Sequence, residues 1–131
     1  MRVQVLSDLH LGVSGLETPR AAADVMVLAG DIARPAQAIA WASYVGRPVL
    51  YVSGNHEFYG GSIAGTAREL KRLSRGTVVR MLDCDQIVLG GVRFLGATLW
   101  TDFLLAGAEQ REQAMAQAGV AVRDFSRIHQ D

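Results

Sequence analysis

The sequence predicts a layered α/β domain built on a parallel sheet, on three observations. Strand-like and helix-like segments alternate from residue 2 to residue 80. Strand-like runs such as "DVMVLA" at 24–29 are apolar at both parities, a pattern that requires burial on both faces of a sheet. The segment 85–97, "DQIVLGGVRFLGA", then reads as a hairpin turning at Gly90-Gly91. Alternation of this kind argues for helices layered on a sheet.

The elements follow in order. Residues 2–7, "RVQVLS", form the first expected strand, 24–29 the second and 48–52, "PVLYV", the third. Between the last two, "ARPAQAIAWASYVG" (33–46) reads as a helix, with Pro35 suited to its first turn and Gly46 able to end it. Ser62 can cap a second helix through about Arg72, in which Gly65 is a weak point. A strand near 77–80 precedes the hairpin, and the Ala- and Gln-rich tail 106–122 is helix-like. The 131 residues suit one domain, 1–131, without repeats or linkers.

Composition bounds the function. Half the residues are hydrophobic and a fifth are charged, and thirteen basic residues balance thirteen acidic ones, so nothing indicates nucleic acid as a partner. No apolar run approaches the roughly 20 residues needed to span a bilayer. The N-terminus reaches Asp8 and His10 too soon for a signal peptide. The single Cys84 excludes an internal disulfide and fits a reducing cytoplasm, the expected location; it reads as a small packing residue.

Chemistry gathers at the strand ends. The first strand ends in "SDLH" (Asp8, His10), the second in "AGD" (Asp31), and the third in "SGNHE" (Asn55, His56, Glu57). In an open α/β sheet, ligands collect beyond the carboxyl ends of the strands. Asp8 and His10, two apart, point the same way in extended backbone. Gly30 and Gly54 allow tight turns that bring the side chains to a shared centre. Two carboxylates, an imidazole and an amide oxygen suit Mn, Fe or Zn, with no thiolate to demand a softer ion. Asp31, the middle carboxylate, is best placed to bridge two ions, which at about 3.5–4 Å apart can clamp a phosphoryl group. His56 can protonate a leaving alkoxide or hold a phosphoryl oxygen. The plainer alternatives are a helix cap for Asp31 and turn chemistry for Asn55 and His56. His129 reads as an exposed terminal histidine, and Arg68, Lys71, Arg72, Arg75 and Arg80 as a solvated face. Trp100 and Asp102 suit either the mouth of the site or packing at its rim.

The three motifs in this order, D-x-H at Asp8–His10, G-D at Gly30–Asp31 and G-N-H-E at Gly54–Glu57, resemble those of the calcineurin-like metallophosphoesterases, and "GATLWTDF" at 96–103 is similar to a segment of bacterial members. The resemblance implies a layered sheet with flanking helices, the first half of an α/β/β/α sandwich. It also implies hydrolysis of a phosphomonoester or phosphodiester by metal-activated water. Asp8, His10 and Asp31 would hold one divalent ion, and Asp31 and Asn55 would contribute to a second. His56 would be the catalytic histidine, and Glu57 an orienting residue behind the ligands. The family's later histidine and its G-H-x-H motif have no counterpart here, since His129 is the one histidine after His56. The expectation is therefore weakened metal affinity and impaired activity. The alternative is a non-catalytic module or fragment of this fold acting in protein binding. Half a sandwich would also leave one sheet face bare. That predicts self-association, most simply as a two-fold dimer, unless the segment from Ala106 folds back over the face.

Overall fold

The computed structural model describes residues 1–130. Four parallel strands, β1 (Val3–Leu6), β2 (Val25–Ala29), β3 (Val49–Val52) and β4 (Val79–Met81), form one sheet in the order β1-β2-β3-β4. Helix α1 (Pro35–Ser43) links β2 to β3, and α2 (Ile63–Ser74) links β3 to β4. The expected helix signals act as read: Pro35 occupies the first turn of α1, and the Ser62 hydroxyl accepts from the Gly65 amide at 3.1 Å. The third cue is displaced: α1 ends at Ser43, and Gly46 follows in left-handed backbone. Strand β4 starts at Val79 because Thr77 is spent on a turn, its amide donating to Ser74 and its hydroxyl accepting from Val79. Asp31 does not cap α1, whose cap position is Arg34.

Sheet register sorts the apolar residues. Met26, Leu28, Val49, Tyr51, Val79 and Met81 share one face and pack against Ala38, Ile39 and Ala42 of α1 and Leu70 of α2. The two helices also pack on each other, as expected when successive parallel crossovers share one hand. Each large side chain buried here contributes about 1.5–3 kcal/mol relative to exposure.

The opposite face departs from expectation. Strands β5 (Asp85–Leu89) and β6 (Val92–Gly96) pair antiparallel around Gly90-Gly91, both in left-handed backbone as a two-residue hairpin turn demands. This hairpin lays Ile87, Leu89 and Phe94 against Val25, Leu50 and Leu82, so Val25 and Leu50 are only 1% and 2% exposed. The face is therefore covered over Val25 and Leu50 and open toward β1, where Val3 and Val5 are 43% and 61% exposed, and at the carboxyl end of β2, where Ala29 is exposed. The cover is the hairpin and not the tail. Helix α3 (Arg111–Ala121) forms where the composition suggested but buries none of its residues. Cys84 is exposed, in left-handed backbone just before β5, and is not a packing residue. No helix among the described residues is long and apolar enough to cross a membrane.

A short helix, α4 (Asp124–Arg127), had no signal in the sequence reading. It ties the end of the described chain to the turn that follows β3. The Gly60 amide donates to the Arg127 carbonyl at 2.7 Å, and the His129 amide to the Gly61 carbonyl at 2.9 Å.

Candidate metal centre at the strand ends

Beyond β1 and β2 the chain keeps the two strands in step. The Asp8 amide donates to the Gly30 carbonyl, His10 to Asp31 and Leu11 to Ile32, at 2.9–3.0 Å. This pairing runs through unusual backbone: Asp8, His10 and Asp31 have φ of 54°, 44° and 57°. Left-handed backbone in residues with a Cβ costs about 1–3 kcal/mol each and concentrates at functional sites. Asp8 and His10 thus converge through left-handed turns, not through the extended alternation expected from their spacing. The result is one cluster: a carboxylate oxygen of Asp8, a ring nitrogen of His10 and a carboxylate oxygen of Asp31 all lie within 4.8 Å of one another.

The two glycines serve different ends. Gly30 has φ 91°, the turn geometry foreseen for it. Gly54 is needed for closeness instead, since a Cβ there would stand 2.2 Å from Asp31 Oδ1 and 2.7 Å from the Asp31 amide nitrogen. The ends of β2 and β3 are pressed together at this point.

Glu57 holds them there. It lies in a single 3-10 turn, His56–Phe58, and is 2% exposed. Its Oε1 accepts from the Ile32 amide at 2.6 Å and from the Tyr51 hydroxyl at 2.8 Å. Its Oε2 accepts from the Gly54 amide at 2.7 Å and the Asp31 amide at 3.0 Å. A buried carboxylate with four donors is satisfied without a counter-ion. Burial first, and the adjacent Glu57 charge second, push the Tyr51 hydroxyl well above the ordinary tyrosine range. Glu57 therefore orients the backbone that carries Asp31.

His56 lies beside the cluster, and Asn55 precedes it in the chain with its side chain turned to Asp124. The His56 amide donates to Asp31 Oδ1 at 3.0 Å, and the exposed His56 ring lies between two others. It meets the His10 ring edge-on at 4.8 Å and stacks on Tyr59 at 4.4 Å. His10, Asp31, Arg34, His56 and Tyr59 line a cleft of about 140 Å3. Asn55 turns its Nδ2 to Asp124 Oδ1 at 2.8 Å, and the Tyr59 hydroxyl donates to the same oxygen at 2.6 Å. That bond chiefly raises the Tyr59 hydroxyl above its ordinary value. Arg34, Tyr59 and Asp124 were not foreseen as site residues. Tyr59 stood two residues past the last motif, and Asp124 carried no sequence signal. His129 is exposed and joins the fold through its backbone, as a terminal histidine would. Trp100 does not line that cleft; its ring lies 5.9 Å from that of Phe58.

The donor set fits a divalent ion. Asp8 and Asp31 bring two carboxylates together, and the ion pairs among the described residues, Lys71–Asp83 and Arg72–Glu69, lie elsewhere on the surface. Asp8 and His10 direct no side-chain hydrogen bond to another described residue, so their lone pairs are open to a ligand. Oxygen and imidazole donors in this ratio suit Mn, Fe or Zn. In comparisons with known proteins, no family model matches the chain and no curated protein matches it significantly.

Proposed function

We propose that this chain is a metal-dependent phosphoesterase domain of the calcineurin-like type, acting on a phosphomonoester or phosphodiester. The observation that carries this reading is the Asp8, His10 and Asp31 cluster at the carboxyl ends of β1 and β2, with His56 directly beside it. Divalent ions, two in a complete site, supply charge neutralisation and an activated water when bound.

The chain's own residues do the rest. Asp8, His10 and Asp31 would hold the first ion, and Asp31 and the side-chain oxygen of Asn55 would contribute to a second. Glu57 keeps the Asp31 backbone in place through its paired acceptor bonds. His56, at the exposed edge of the cleft, donates to a phosphoryl oxygen or to the leaving oxygen. The Arg34 guanidinium lines the same cleft and suits a second phosphoryl oxygen. The lone exposed Cys84 accords with a reducing cytoplasm.

A second reading, a non-catalytic module of this fold that binds protein, is favoured by the small size of the cluster, three Asp and His groups among the described residues. Hydrolysis of an activated aryl phosphate with and without Mn2+ separates the two. The expected result is slow, Mn2+-dependent turnover that His56→Ala abolishes. Bound Mn2+ without turnover would select the module.

A further inference from the structure

We infer that Asp124 is a positioning residue for this centre: it fixes the Asn55 amide so that its carbonyl oxygen faces the cation. The inference rests on the metal-site reading above and extends it to a residue 69 positions further along the chain.

The argument begins with what a carboxylate can do. It accepts hydrogen bonds and donates none. An Asn amide within 2.8 Å of Asp124 Oδ1 must therefore present its nitrogen, whichever way an isolated amide would turn. Its side-chain carbonyl oxygen, the part of this amide able to bind a cation, is thereby directed away from Asp124. The same carboxylate oxygen takes the Tyr59 hydroxyl at 2.6 Å, and the Tyr59 ring is stacked on His56. One oxygen thus restrains Asn55 directly and His56 through the Tyr59 ring.

Asp124 is held in place by backbone. The strap 124–129 is pinned to the turn after His56 by the Gly60 bond to Arg127 and the His129 bond to Gly61. Within the strap, the Ile128 amide donates to the Asp124 carbonyl at 2.8 Å. Neither Asp124 nor the rest of the strap belongs to the cluster of Asp8, His10 and Asp31. Its part is to aim a neighbour, and partners of this kind typically change metal affinity by about 10- to 100-fold.

The test compares the full chain with Asp124→Ala and Asp124→Asn, using Mn2+ as the probe. Calorimetry reads the Mn2+ dissociation constant, and 15N NMR of the metal-free protein reads the Asn55 side-chain amide and the exchange protection of Gly60. Asp124→Ala is expected to weaken Mn2+ binding by about tenfold or more. It should also move the Asn55 amide signals to free-amide positions while Gly60 stays protected. Asp124→Asn, which keeps an acceptor oxygen, is expected to remain close to wild type in both readouts. Wild-type Mn2+ affinity in Asp124→Ala overturns the inference and leaves the metal site standing. Equal losses in Asp124→Asn and Asp124→Ala would show that the charge acts on the cation directly, and the positioning role fails. Loss of Gly60 protection together with Mn2+ affinity would show that Asp124 holds the strap and not the amide. A wild-type chain that takes up no Mn2+ defeats the metal-site reading itself, and the inference with it.

Discussion

Tyr51 donates its hydroxyl to Glu57 at 2.8 Å inside the core, and the carboxylate so held joins the ends of β2 and β3. Both residues are almost wholly buried. The bond links the stability of the sheet to the geometry of the candidate site, because the same carboxylate takes the Asp31 amide.

Removing Glu57 should therefore cost fold and site together. Glu57→Ala strands three backbone donors and the Tyr51 hydroxyl. Buried groups left unsatisfied cost about 1–3 kcal/mol each, so a loss of about 3 kcal/mol or more in urea unfolding is expected. Tyr51→Phe removes one bond to the carboxylate and should cost about 1.5–3 kcal/mol. A loss near zero in Glu57→Ala would mean that the strand ends are held by other means.

Tyr51 also predicts a pH dependence. Its hydroxyl is raised in the folded chain by burial and by the Glu57 charge. Above the ordinary tyrosine value of about 10, the unfolded chain loses this proton and the folded chain keeps it. The folded state then binds more protons, so stability falls as pH rises, by about 1.4 kcal/mol per pH unit for this group. Unfolding curves at pH 9 to 11 should show that decline in wild type and a shallower one in Tyr51→Phe. Parallel declines would remove Tyr51 as the cause.

Gly54→Ala tests the close approach of the strands. The added Cβ would meet Asp31 Oδ1 and also the Asp31 backbone nitrogen at 2.7 Å, which cannot swing aside as a side-chain tip can. The expected outcome is a folded protein, by circular dichroism, with markedly weaker Mn2+ uptake. Gly46→Ala, where nothing lies within 4 Å but φ is 70°, serves as the control for backbone strain alone. Equal Mn2+ binding in the two variants would show that the closeness is not needed.

His56 and Asp31 should separate by metal content. Asp31→Ala is expected to abolish Mn, Zn or Fe uptake by elemental analysis, while His56→Ala keeps it. Metal loss in His56→Ala equal to that in Asp31→Ala would reassign His56 as a ligand.

Association is expected through the bare part of the sheet. Val5 is exposed on β1, an edge strand with an unpaired side, and Val27, Ala29, Val52, Leu95 and Leu99 line an open groove on the same face. At about 25 cal/mol per Å2, burying this surface favours a two-fold dimer. Sedimentation at micromolar concentration should show the dimer, and Val5→Glu the monomer. A monomeric wild type that binds no hydrophobic dye would contradict this.

The sequence by itself determined what depends on neighbours along the chain. Alternating parities in Val25 to Ala29 required two covered faces, the Ser62 hydroxyl could cap only the helix beginning at Ile63, and Gly90-Gly91 could supply the two left-handed residues of the hairpin. The meeting of Asp8, His10 and Asp31 was legible for a similar reason: parallel strands in one sheet end at one edge, and each residue lies two to four positions beyond its strand. Tertiary structure decided the rest. The hairpin's seat over Val25 and Leu50 depends on which of two apolar faces the helices leave open, and each strand's pattern is consistent with either. Whether Gly54 serves a turn or a close approach depends on where Asp31 lies in space, 23 residues earlier in the chain, and so does the φ of Asp31 itself. Asp124 reaches Asn55 only because backbone bonds dock α4 on Gly60 and Gly61, and no periodicity or local motif encodes a contact between residues so far apart.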